Sequence, residues 1–198
     1  MTEFEKTDPY VFILESLDFE DEKRGSFEGE IISQILSMSN IKHKYFYIRT
    51  RREFEYFIDQ FAKSNYRYLH ISCHGSTDKI STTLDDISFQ DLGIILGDKL
   101  DRKRLFLSSC LSTNESLAEA IFPTSDCISI VGPNKEINMD DAAIFWSSFY
   151  QKMFKENIKY MKNEKVKETI KYLKEFLNIP ISYFASTNLE KGWKESNL

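Results

Sequence analysis

The sequence predicts a three-layer α/β/α fold built on a mostly parallel, six-stranded sheet. Two observations carry that reading. Short apolar runs alternate with longer amphipathic stretches along the chain, and strand–helix alternation closes as parallel strands with helices on both faces. Glycine and proline are scarce, at 7 and 4 of 198 residues, which argues against a sandwich of many tight turns and against disorder. No repeat, linker or low-complexity tract interrupts the pattern, so 1–198 reads as one domain.

Taken in order, 9–17 (PYVFILESL) is a short apolar run with acidic flanks, a buried strand. The polar stretch DFEDEKRGSFEGE follows as a turn. Ile31, Ile32, Ile35 and Leu36 have helical spacing, which predicts a helix over roughly 26–39, with Asn40 as its stop. The aromatic run 42–49 is the second strand. Thr50 and Glu53 form a capping-box pair for a helix that carries Phe54, Phe57, Ile58 and Phe61 on one face.

The third strand, 67–73, runs into His74 and Gly75. The polar segment after it, STDKISTTLDDIS, reads as a loop or small hairpin placed where a substrate-contacting loop belongs. Ser88 caps a short helix, 104–109 is the fourth strand, and Asn114 starts the next helix. CISIV, from 127, is the fifth strand and ends at Gly132-Pro133. Asn138 is an expected N-cap, with Asp140 and Asp141 at the positive end of a helix lined by Ala142, Phe145, Trp146, Phe149 and Met153. A Lys- and Glu-rich helix over roughly 160–177 precedes the sixth strand, 181–187. Its mixed charges read as a solvated face.

The net charge of −5 gives no general attraction to nucleic acid. No apolar run reaches the roughly 18 residues of a membrane span. The acidic N-terminus lacks a signal-peptide pattern. The expectation is a cytoplasmic protein without nucleic-acid or membrane partners. The three cysteines, Cys73, Cys110 and Cys127, have no framework spacing and read as catalytic or buried thiols.

The chemistry gathers at two strand ends. YLHISCHG delivers His74 and Gly75, and RLFLSSC delivers Cys110. Open α/β sheets bind ligands at the carboxyl ends of their strands. Neighbouring strands lie about 4.8 Å apart, which brings an imidazole and a thiol within working reach. Cys110 is then a candidate nucleophile, His74 its acid/base, and the N–H groups of Gly75 and Cys110 candidate oxyanion donors. Gly75 suits that role because it can adopt positive φ and approach a substrate closely. Cys73, His70, His43 and Cys127 read as structural. A metal site from Cys73, His74 and Cys110 lacks ligand-pair spacing, so neither metal nor cofactor is expected. No glycine-rich phosphate loop follows the first strand, which disfavours a nucleotide enzyme.

An apolar strand ending in His-Gly, then an apolar strand ending in Ser-Ser-Cys, resembles the caspase-like cysteine peptidases of clan CD, and within them the bacterial CHAT domains. SIVGPNKEINMDDAAIFWSSFYQKMF, 129–154, is similar to the CHAT pattern of a strand ending in Gly-Pro, an Asp-Ala pair and a helix with Phe-Tyr. The resemblance spans roughly 67–154. It implies the caspase-like fold, a cysteine endopeptidase acting on a protein substrate, and a setting in a bacterial stress or antiviral response. It also implies His74 as acid/base, Cys110 as nucleophile, and Gly75 with Cys110 as oxyanion donors. The caspase signature QACRG is absent and SSCLS stands in its place, so an Asp preference does not carry over. Only about 17 residues separate Cys110 from the fifth strand, too few for a cleavable maturation linker. Activation would come from a protein partner, a ligand or another cleavage. For specificity, Asp78, Asp85, Asp86, Asp140 and Asp141 all lie on segments that could reach the site. The alternative function on the same fold is a non-catalytic interaction module, a partner-binding switch.

Overall fold

The computed structural model describes residues 7–196 and 198. The first apolar run forms β1 (Asp8–Glu15), and Val11 to Leu14 are fully buried. Parallel strands are covered by helices on both faces, which is why such a run is continuously apolar. β1 lies parallel between β2 (His43–Tyr47) and β3 (Tyr66–Ser72). After β3 the chain leaves the sheet. It builds a small antiparallel one from β4 (His74–Gly75), β5 (Lys79–Ser81) and β6 (Asp86–Ser88). It returns as β7 (Arg104–Ser108) and β8 (Ser129–Pro133), both parallel to their inner neighbours. β9 (Ile181–Ser186) and β10 (Trp193–Glu195) complete the sheet antiparallel.

The order of the main sheet is β10-β9-β8-β7-β3-β1-β2. All six predicted strands are present, and the sheet is mostly parallel. It has seven strands, not six. β10 escapes a sequence reading because three residues, two of them exposed, carry no apolar run. Its one buried side chain, Trp193, packs against Phe184 and Phe122.

The helices cover both faces as expected. α2 (Glu28–Met38), α6 (Met139–Glu156) and α7 (Asn163–Leu177) bury Ile32, Leu36, Phe145, Phe149, Val166 and Ile170 against one face. α3 (Arg51–Ser64), α4 (Phe89–Leu96) and α5 (Glu115–Ile121) bury Phe54, Ile58, Leu92 and Leu117 against the other. The alternation of β1 separates the two cores: Val11 and Ile13 belong to the first, Phe12 and Leu14 to the second. Thr50 and Glu53 form the predicted capping box, and Ser88 and Asn114 accept from the third residue of their helices. Among the described residues no helix is long and apolar enough to cross a membrane.

Two further readings change. The polar stretch after β1 contains a helix, α1 (Phe19–Arg24), capped by the Asp18 side chain and closed by Gly25 at φ 74°. None of its residues is buried, so it has no apolar face for periodicity to report. Ile31 is exposed, because α2 turns Ile32 and Leu36 inward and lays Gly29 against β1. A Cβ on Gly29 would stand 3.1 Å from Glu15 Cβ and from Ile13 Cγ2.

That close approach lets the Gly29 N–H donate to Glu15 Oε1 at 2.6 Å, while Tyr45 Oη donates to Oε2 at 2.7 Å. Glu15 is fully buried, and burial pushes its carboxyl from 4.5 up to about 7, the two hydrogen bonds opposing. Between those values the folded chain keeps a proton that the unfolded chain has released. Stability is therefore complete below pH 4.5 and lost as pH rises through 7, by on the order of 3 kcal/mol. Thermal melts from pH 4.5 to 8 should show this decline, and Glu15→Gln should flatten it. A Glu15→Gln variant with the wild-type slope would remove Glu15 as its source.

Candidate active site

β3 and β7 are parallel neighbours, and Ser72 pairs with Ser108 at their carboxyl ends. The Cys73 N–H adds one more bond, to Ser108 O at 3.0 Å. The two chains then diverge. One turns into β4, which carries His74 and Gly75. The other turns at Cys110, and Leu111 takes a left-handed backbone at φ 63°. A non-glycine residue there costs roughly 1–2 kcal/mol. The surroundings hold it: the Leu111 N–H donates to Lys135 O at 3.3 Å, and Asn114 Nδ2 donates to Leu111 O at 2.9 Å. The same Asn114 amide donates to Thr77 O at 3.0 Å, and Ser112 Oγ donates to Ser76 O at 3.3 Å. The polar residues of SSCLSTN thus stitch the cysteine turn to the hairpin that follows His74.

His74 and Cys110 open on one cavity of about 520 Å³, whose walls also include Gly75, Glu136, Asn138 and Asp141. Among the described residues of its lining, His74 is the one group that can carry positive charge, and two are carboxylic acids. His74 Nε2 lies 2.9 Å from Asp21 Oδ2 and 3.7 Å from Asp18 Oδ2. A proton on Nε2 fits that contact and leaves Nδ1 as the basic nitrogen. Cys110 Sγ lies 3.5 Å from both N and O of Ile137. Its resting contacts are therefore with the segment between β8 and α6, and not with the imidazole.

Of the three cysteines only Cys110 is partly exposed. Burial pushes the thiols of Cys73 and Cys127 up to about 12. Both stay protonated and unreactive near neutral pH. His70 is fully buried, with Nδ1 3.1 Å from Tyr150 Oη.

Gly75 is needed for room, not for positive φ. A Cβ would stand 2.1 Å from Ser109 Oγ and 2.3 Å from Ser112 Oγ, and Gly75 is not among the left-handed residues. Its N–H is nevertheless well placed. The Ser76 N–H bonds Lys79 O across the hairpin, so Gly75 and Ile80 form the next, non-hydrogen-bonded pair. The Gly75 N–H therefore points away from β5. The Cys110 N–H has no backbone acceptor among the described residues. Neither the Gly75 nor the Cys110 N–H donates to an acceptor among the described residues.

The five candidate specificity acids separate cleanly. Asp85 accepts from the Arg51 N–H, Asp86 pairs with Lys79, and Asp78 accepts from Ser76 Oγ. Asp141 alone of the five lines the cavity, joined by Glu136, which the sequence did not single out. Asn138 makes no capping bond through its side chain. It donates instead to Asp141 Oδ2 at 3.3 Å. Asp21 and Asp18 were also missed. Their spacing is that of an N-cap and its third residue, the one signal in the acidic stretch that could have found α1. The oxygens of Asp18 and Asp21 and a ring nitrogen of His74 lie within 4.8 Å of one another and could hold a metal ion, a different set from the Cys73–His74–Cys110 grouping.

No family model matches the chain, and no curated protein matches it by sequence. Solved structures do. Caspase-1 from Spodoptera frugiperda superposes with a TM-score of 0.55 over 85% of this chain and 78% of that one, at 14% identity. The chain has a caspase-like fold.

Iodoacetamide at pH 7 should label Cys110 at least about tenfold faster than Cys73 or Cys127, measured by peptide mass spectrometry. Equal labelling would contradict the burial difference. Gly75→Ala should lower stability by about 1–3 kcal/mol through overpacking against Ser109 and Ser112, read from denaturant melts.

Proposed function

We propose that this chain is a caspase-like cysteine endopeptidase, CHAT-like in its His-Gly and Ser-Ser-Cys strand ends, that cleaves a protein substrate in the bacterial cytoplasm as part of a stress or antiviral response. The observation that carries the reading is the pairing of β3 with β7, which brings His74 and Cys110 to one cavity that Gly75 also lines.

The chemistry follows from these groups. A substrate carbonyl enters the cavity with its oxygen toward the Gly75 and Cys110 N–H groups. Cys110 Sγ bonds to the carbonyl carbon as its proton passes to His74. The C–N bond breaks, and His74 returns the proton to the departing amine. Water then adds to the thioester, losing a proton to His74, and the acid is released as Cys110 regains its thiol. Asp21 holds the imidazole and balances its transient positive charge. An oxyanion donor is worth roughly 3–4 kcal/mol in comparable sites. The acidic walls at Asp141 and Glu136 favour a basic side chain before the cut bond, unlike the Asp preference of caspases.

A second reading, a non-catalytic partner-binding module, is favoured by one observation: Cys110 Sγ rests against Ile137 and not His74. Fluorogenic peptides separate the two. Wild type should cleave those with Arg or Lys before the reporter, and Cys110→Ala should abolish turnover. Asp141→Asn should lower kcat/KM for the Arg peptide by roughly 10–100-fold, as expected for a lost charged hydrogen bond. Function in cells that survives Cys110→Ala unchanged would establish the module instead. Activation by a protein partner is tested by whether the purified chain alone turns over.

A further inference from the structure

Behind the cavity, on its buried side, lies a carboxylate that the mechanism does not use. Glu28 is the first residue of α2 and is 3% exposed. One of its oxygens, Oε2, accepts from Ser108 Oγ at 2.8 Å and from Ser72 Oγ at 3.2 Å. Ser72 and Ser108 are register partners and the last residues of β3 and β7. His74 and Cys110 each follow two residues later. Glu28 also lines a small cavity of about 70 Å³ together with His74 and Cys110.

Placing an acid here is costly. Its other oxygen, Oε1, lies 3.6 Å from His70 Nε2, and neither atom has a hydrogen-bond partner among the described residues. A half-satisfied buried polar group costs stability that an apolar side chain would not. What the acid supplies is a tie across three elements. It joins the ends of β3 and β7, and it fixes the start of α2. Gly25, which ends α1, lies three residues before it, and α1 carries Asp21 to His74.

We propose that Glu28 is a positioning residue of the His74–Cys110 site, acting through Ser72 and Ser108 to hold the two strand ends in working register. This rests on the endopeptidase reading above. The tie needs an acceptor and not a charge, because both serines donate to one oxygen. A glutamine preserves that oxygen and can offer its N–H to His70 Nε2. Misplacement of reacting groups by about 1 Å can cost about 100-fold in rate.

The test compares Glu28→Ala, Glu28→Gln and the double variant Ser72→Ala/Ser108→Ala with wild type. Three readouts are taken: kcat and KM on the Arg peptide, Tm, and the pH midpoint of Cys110 alkylation. Glu28→Ala and the double serine variant should lose roughly 10–100-fold in kcat with KM within about twofold, and shift the alkylation midpoint. Glu28→Gln should stay within about threefold of wild type with an unshifted midpoint. If Glu28→Ala does not fold, the double serine variant decides, since it leaves the carboxylate in place. Wild-type kcat and midpoint in Glu28→Ala or in the double variant, with only Tm lowered, would overturn the proposal. So would an equal loss in Glu28→Gln. If wild type cleaves no peptide, the endopeptidase reading fails separately. The alkylation midpoint then judges the Glu28 tie: a shift in the alanine variants alone supports it, and an unshifted midpoint overturns it.

Discussion

The site depends on one pairing, the parallel ladder between β3 and β7. Its register sets Ser72 beside Ser108, and a one-residue slip would turn every side chain of one strand to the opposite face. A slip of β3 would take His70 from the aromatic face that packs on α6 and Leu69 from the other core, and a slip of β7 would do the same to Phe106 and Leu105. The register of the reactive ends is therefore enforced by both hydrophobic layers, far from the chemistry. That is a robust way to hold two side chains that do not touch each other at rest.

Beyond the last ladder bond, apolar packing gives way to polar stitching. Ser112 and Asn114 tie the cysteine turn to the hairpin at 76–77, Ser109 bonds Ser112 within the turn, and Asp21 reaches His74 from α1. These contacts meet where Gly75 leaves space that a side chain would fill. The carboxyl edge of the sheet also concentrates acids: Glu15 and Glu28 in the interior, Asp21, Glu136 and Asp141 at the surface. The buried acids rely on nearby donors, and of the surface acids Glu136 and Asp141 line the cavity.

The caspase-like fold and the two reactive strand ends bear on the function at different levels. The fold likeness rests on architecture over most of the chain at 14% identity. It says how the strands run, and nothing about which side chains react. The assignment of His74 and Cys110 rests on where this chain's own residues stand. Cys110 Sγ rests on Ile137; in the proposed chemistry it must turn to the imidazole when substrate binds, and catalytic hydrogen bonds are often long in the unliganded state.

Continuous apolar runs and the 3.6-residue periodicity sufficed to read the six main strands, the covering helices and the placement of His74 and Cys110 at strand ends. Burial on both faces and helix packing write themselves directly into local residue pattern. Caps at Thr50, Ser88 and Asn114 were legible for the same reason, because each acts within four residues. What the chain could not reveal locally is every contact made across it. α1 has no buried face, β10 has three residues, and Gly75 is a glycine because of serines more than thirty positions away. Asp21 meets His74 from 53 residues upstream, and Asp141 is separated from four similar acids only by the cavity it faces. Those choices belong to tertiary structure, because the partner that gives each residue its meaning is brought to it by the sheet.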